Sequence, residues 1–130
     1  PGKEVPAEFT YKAKGKSITI SSGTFSSFSR FKACLLLSPG KTVPPYLRID
    51  CHVRSKGFLI NDLNYSYDIR FEDLLTEHLL VFSGALFKEH ICVEVDAAKR
   101  EIQFEFISKK SYWDSKEIDE MIIECGVQML

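Results

Sequence analysis

Residues 111–126 read "SYWDSKEIDEMIIECG", and the reading of this stretch decides the fold. It holds the chain's only tryptophan, Trp113, directly before Asp114, a favourable helix N-cap residue, with Glu117 three positions on in a capping-box-like arrangement. Ile118, Met121, Ile122, Cys125 and Met129 then recur at helical spacing. Glu117, Asp119, Glu120 and Glu124 fall on the opposite side, gathered towards the start, where the helix dipole favours acids. The pattern predicts an amphipathic C-terminal helix beginning at Asp114, with Trp113 wedged between it and a sheet.

Upstream of this stretch the period is two. "EFTYK" (Glu8–Lys12) and "SITISS" (Ser17–Ser22) flank "AKGK", where Gly15 can supply positive φ, and read as a hairpin. "FSRFKACLLL" (Phe28–Leu37) is a longer apolar segment closed by the three-proline loop "SPGKTVPP". "YLRIDCHV" alternates, with Leu47, Ile49, Cys51 and Val53 on one face and Tyr46, Arg48, Asp50 and His52 on the other. The turn "RSKG", the short "FLI" and the strand "YSYDIRF" follow, the last with Tyr65, Tyr67, Ile69 and Phe71 on one face. "EDLLTEHLLVF" fits a turn into a strand over His78–Phe82, or a short helix near 72–82. "HICVEV" and "EIQFEFI" alternate around "DAAKR" as a second hairpin.

About seven short strands and one terminal helix predict a mainly β fold with a C-terminal α-helix: a bent antiparallel sheet or partly open barrel that the helix caps. An α+β fold with an additional helix near 72–82 is the alternative. Immunoglobulin-like and C2-like sandwiches fit the strands but give the terminal helix no place. In order and length the chain resembles the pleckstrin-homology-like superfold over Phe9–Leu130, with Trp113 before the last helix rather than within it. The resemblance implies an interaction module. Lys12, Lys14 and Lys16 match the basic first-hairpin signature of its lipid-binding members as a loose cluster.

The 130-residue length and 45% hydrophobic content suit one domain with an ordinary core. Residues 1–7 read as an N-terminal tail, with Pro1 and Gly2 appended to the natural chain, and 8–130 as a single domain of a longer protein. The longest apolar run, "ACLLL", is far too short for a transmembrane segment, and no secretory signal is present. Cys34, Cys51, Cys92 and Cys125 form no CxxC and no Cys/His pair at zinc-ligand spacing. They read as buried, reduced thiols, which points to an intracellular protein, cytoplasmic or nuclear; the sequon "NYS" at Asn64 then has no use.

No cofactor loop or catalytic motif is present, His52, His78 and His90 are scattered, and the adjacent Cys51 and His52 point to opposite faces of a strand. The expectation is a non-catalytic interaction or scaffold module without cofactor. Charge is unevenly distributed along the chain. Residues 1–56 carry ten Lys or Arg against three acids, a balance of +7, and residues 57–130 carry seven against fifteen, a balance of −8.

If the halves separate in space, the chain can bind a protein partner through the acidic helix, or pair head to tail with copies of itself. Phe25, Phe28 and Phe31 recur every three residues in "SSGTFSSFSRF", which suits rings plugging an open barrel end, or an edge that binds a partner by strand addition. The partner-binding candidates are thus Phe28, Arg30, Lys32, Glu117, Glu120 and Glu124. The alternative is anionic phospholipid or nucleic acid held through the basic first half, with Lys12, Lys14 and Lys16 as the anion contacts.

Overall fold

A computed structural model of the chain describes residues 4–21, 25, 28–38, 46–68, 78–88, 101–109 and 121–130. Eight strands run in the order β1 (Tyr11–Lys14), β2 (Ser17–Ile20), β3 (Arg30–Leu37), β4 (Tyr46–Ser55), β5 (Phe58–Asp68), β6 (His78–Ala85), β7 (Ile102–Lys109) and β8 (Ile122–Met129). They form two four-stranded sheets, ordered β1-β8-β3-β6 and β2-β7-β4-β5, with every pairing antiparallel. Interleaving of late strands between early ones in both sheets is the connectivity of a jelly roll.

The alternating residues explain the sandwich. Leu47, Ile49, Cys51 and Val53 of β4 and Ile102, Phe104 and Phe106 of β7 are completely buried, and they meet Phe31, Ala33, Leu35, Cys125 and Val127 from the other sheet in one core. Rings bridge the sheets: Phe31 lies edge-on to Phe104 at 4.9 Å, Phe82 edge-on to Phe106 at 5.9 Å, and Tyr65 against Phe82 at 4.2 Å. Across the β5–β6 side, the Tyr65 hydroxyl donates to the Ser83 carbonyl and the Asn61 amide to the Ala85 carbonyl, both at 2.8 Å.

The expected bent sheet or partly open barrel capped by a C-terminal helix is therefore replaced by two separate sheets, and no helix occurs among the described residues. Ile122–Met129 is a central strand of its sheet, paired with β1 and β3. The cause is an ambiguity of spacing, because residues four apart share a face in a helix and in a strand alike. Cys125, Val127 and Met129 reach the core with period two, and the register shift between Leu36 and Leu37 resets the pairing so that Ile122 is buried as well. Gly126 and the β-branched Ile122, Ile123 and Val127 favour strand over helix. Trp113, Asp114 and Glu117 lie outside the described residues.

Two smaller readings are resolved. Residues 78–82 are in β6, in agreement with the strand read over His78–Phe82 and not with the alternative helix, while 72–77 lie outside the described residues. Gly15 does turn the chain, at φ 85°, but β1 and β2 do not pair as a hairpin; they leave the turn into different sheets.

A second, smaller core lies outside the sandwich. Every residue of β3 from Ala33 to Leu37 is buried, on both faces, because the segment before β1 covers the outer face of its sheet. Val5 and Phe9, each 1% exposed, pack there on Cys34 and Leu36. Val5 thus belongs to a strap, although it falls in the stretch read as a tail. Lys12 Nζ donates to the Val5 carbonyl (3.0 Å), the Val5 amide donates to Glu124 Oε1 (3.2 Å), and Lys32 lies over the Phe9 ring at 5.5 Å. Gly126 makes room for the strap: a Cβ there would stand 2.5 Å from Val5 Cγ1 and 3.0 Å from Phe9 Cβ.

Gly126→Ala should accordingly lower stability by roughly 1–3 kcal/mol, the usual cost of overpacking. It should also speed reaction of Cys34 with Ellman's reagent, since burial beneath the strap pushes that thiol up to about 11. Urea unfolding and labelling kinetics measure the two effects. A variant as stable as wild type with an equally protected Cys34 would show that this contact does not hold the strap.

Candidate binding surface

One end of the sandwich gathers four of the five exposed large apolar side chains among the described residues; the fifth, Val81, lies midway along β6. In one sheet, Ile20, Ile102 and Ser55 form the terminal paired row; in the other, Arg30 pairs with Ala85 and Phe31 with Met129. The Lys88 amide donates to the Ile60 carbonyl (2.8 Å) and the Leu86 amide to the Ser29 carbonyl (2.9 Å), which brings Ser29, the β4–β5 hairpin and residues 86–88 to the same end. Phe28 (90% exposed), Phe58 (76%), Leu59 (50%) and Leu130 (67%) all lie there.

The β4–β5 hairpin sets the geometry of this end. Its two-residue loop, Lys56 at φ 52° and Gly57 at φ 84°, has positive φ at both central positions, the signature of a type I′ turn. Lysine rarely adopts this conformation, at a cost of roughly 1–2 kcal/mol, so the turn is set by its strands rather than by Lys56. Arg54 pairs with Leu59 on the outer face, Gln103 and Thr19 continue that row, and Phe58 leaves the turn on the other side. Thr19, Arg54, Lys56, Gly57, Glu101 and Gln103 line a cleft of about 230 Å³.

Beyond the cleft the outer face of β4 carries a row of ion pairs. Arg54 Nη1 donates to Glu105 Oε1 at 3.1 Å, with His52 Nδ1 3.5 Å from the other guanidinium nitrogen. His52 Nε2 stands 3.4 Å from Asp62 Oδ1. Further along, Asp50, only 4% exposed, takes Lys109 Nζ at 2.8 Å and Arg48 Nε at 3.0 Å. These pairs hold the Arg54 guanidinium in place beside the cleft.

The structure divides the candidates read from sequence. Phe28 and Arg30 stand at the hairpin end, whereas Lys32 and Glu124 lie on the outer face of the other sheet, around the strap. Glu117 and Glu120 lie outside the described residues. Lys12 is engaged by the Val5 carbonyl and Lys14 by Glu124 (3.2 Å), so this part of the basic cluster is tied into strap and sheet. Phe25 (4% exposed) and Phe31 (0%) are core, which leaves Phe28 alone of the three-residue repeat on the surface. Sequence reasoning missed Phe58 and Leu59, and read Arg54 and Lys56 only as part of the basic first half. The available signal was "KGFL", two apolar residues directly after a two-residue turn, of which strand alternation can bury only one.

The charge halves do not separate either. β7 and β8 from the acidic half lie between β2 and β4 and between β1 and β3 of the basic half, and Lys14–Glu124, Arg54–Glu105 and Asp50–Lys109 cross between the halves. Head-to-tail pairing through segregated charge loses its basis among the described residues. Cys51, opposite His52 in facing, is sealed in the core, where burial pushes its thiol strongly upward; Cys125 is pushed to about 12 for the same reason. Neither is poised as a nucleophile. No described helix is long and apolar enough to cross a membrane.

No protein-family model matches the chain. Over its whole length it is similar to three Arabidopsis thaliana proteins: Disease resistance protein RML1B at 33% identity, Disease resistance protein RPP5 at 31%, and Protein SUPPRESSOR OF npr1-1, CONSTITUTIVE 1 at 29%. Its relatives include plant disease-resistance proteins. The chain spans 12% of the first of these proteins and 8% of each of the other two.

Asp50→Asn should cost roughly 2–4 kcal/mol by leaving Arg48 and Lys109 facing a neutral group at a buried site. Glu105→Gln, in a more solvated pair, should cost less than about 1 kcal/mol. Urea unfolding of both variants measures the contrast, and equal losses would show that burial does not set the strength of these pairs.

Proposed function

We propose that the chain is a non-catalytic protein-binding module of a disease-resistance-type plant protein, and that it engages its partner through the hairpin end. The observation that carries this reading is the gathering of Phe28, Phe58, Leu59 and Leu130, each at least half exposed, at one end of the sandwich. Large apolar side chains grouped on a surface mark interaction sites, and loops at the end of a rigid sandwich are where such folds place them. Support also comes from the relatives' names, which concern disease resistance rather than a reaction. The hairpin end takes the place of the acidic terminal helix in this reading. Strand addition along β6 is disfavoured, because the carbonyls of Ser83 and Ala85 already accept bonds from β5 side chains.

Affinity purification from Arabidopsis leaf extract tests the reading with three baits: wild type, Phe58→Ser/Leu59→Ser, and Lys12→Glu/Lys14→Glu/Lys16→Glu. A specific protein should be retained by wild type and by the lysine variant and lost from the hairpin variant. Retention by the hairpin variant, or lipid or nucleic acid eluting from wild type and not from the lysine variant, would overturn the proposal in favour of electrostatic attachment.

A further inference from the structure

We infer that the partner segment is acidic as well as apolar: one carboxylate side chain seats in the cleft beside Arg54 and Lys56, an apolar neighbour packs on Leu59 on the same face, and the segment continues over the turn onto Phe58. This inference rests on the protein-binding reading above and names the chemistry of the partner.

Among the described residues, cations outnumber acids at the hairpin end. Arg30, Arg54, Lys56 and Lys88 stand there among the described residues, and Arg30, Lys56 and Lys88 form no ion pair with them. Arg54 is paired with Glu105, but that bond occupies one of the five donors of the guanidinium and fixes its orientation at the cleft wall. The Thr19 hydroxyl and the Gln103 amide add uncharged donors to the same lining. Glu101 is the one acid of that lining among the described residues, and its repulsion favours a carboxylate on the Arg54 and Lys56 side. A volume of about 230 Å³ admits a side chain and is below the usual range for small-molecule pockets. Leu59, cross-strand from Arg54, sets the apolar surface directly beside the cation.

The probe is a library of random-sequence peptides displayed on phage and selected on the 130-residue chain. Enriched peptides should place Asp or Glu next to an aromatic or aliphatic residue. A synthetic copy should bind about tenfold more weakly to Lys56→Asp than to wild type, and its affinity for wild type should fall as salt rises. Asp-Gly suits a type I′ turn, so this variant reverses the charge without disturbing the hairpin.

Peptides that need Phe58 but carry no acid would overturn the inference and leave the protein-binding reading standing. Peptides whose binding is unchanged in Phe58→Ser would overturn both. So would Phe58-dependent sedimentation with phosphatidylserine vesicles and no enriched peptide, an outcome that makes this end a membrane contact.

Discussion

Contact between Phe31 and Phe104 across the two sheets, with Phe82, Phe106 and Tyr65 extending it, is the interaction on which the rest of the molecule depends. Neither sheet has another way to bury its inner face, and aromatic rings supply large buried area with few torsions to fix. Because the rings lie on β3, β5, β6 and β7, the contact also joins segments far apart in sequence. It holds β5 beside β6 at the point where the Tyr65 hydroxyl meets the Ser83 carbonyl, and that hydroxyl's pKa is pushed up to about 12, first by burial. The edge is thereby closed by side chains instead of by another strand, a common protection against unwanted pairing.

The strap follows from the same constraint applied to the opposite face. A strand as apolar as "ACLLL" cannot leave either side in water, and the sandwich interior covers only one. Val5 and Phe9 supply the second cover, and Gly126 on the neighbouring strand gives them the depth to reach it. Glu124 serves both structures at once: it accepts from the Val5 amide and pairs with Lys14. A residue that reads as a free acid on a helix surface is therefore part of the joint between strap and sheet.

Strand identities were legible wherever one face is wet. β4 and β7 alternate in sequence as they do in the sandwich, with Leu47, Ile49, Cys51 and Val53 inward and Arg48, His52 and Arg54 outward. Sheet membership was not legible, because alternation is the same for any partner; Glu8–Lys12 and Ser17–Ser22 look like a hairpin although β1 and β2 part at the turn. Cys125 and Met129 misled for a more specific reason, since a spacing of four satisfies helix and strand together. That error propagated: a sandwich fitted the strands, and the supposed helix was the argument against it. At the binding surface, Phe28 and Arg30, and the charges of Arg54 and Lys56, were accessible to sequence reasoning, while Leu59 needed the register of β4 against β5 to be seen beside Arg54.

Interleaving of late and early strands also explains why a chain so polar in sequence is not polar in space. Glu124 of β8 and Glu105 of β7 each face a cation of the basic half on a neighbouring strand, Lys14 and Arg54, while Asp50 of the basic half takes Lys109 of the acidic half, so charges of both halves are mixed within the sheets. Among the described residues, the cations without an ion pair at this end lie at or beyond the ends of the paired rows. Lys56 lies in a turn, Arg30 opens β3 and Lys88 follows β6, so the uncompensated cations collect at the end that also exposes Phe58 and Leu59. Topology thus places apolar side chains and, among the described residues, more cations than acids at this end.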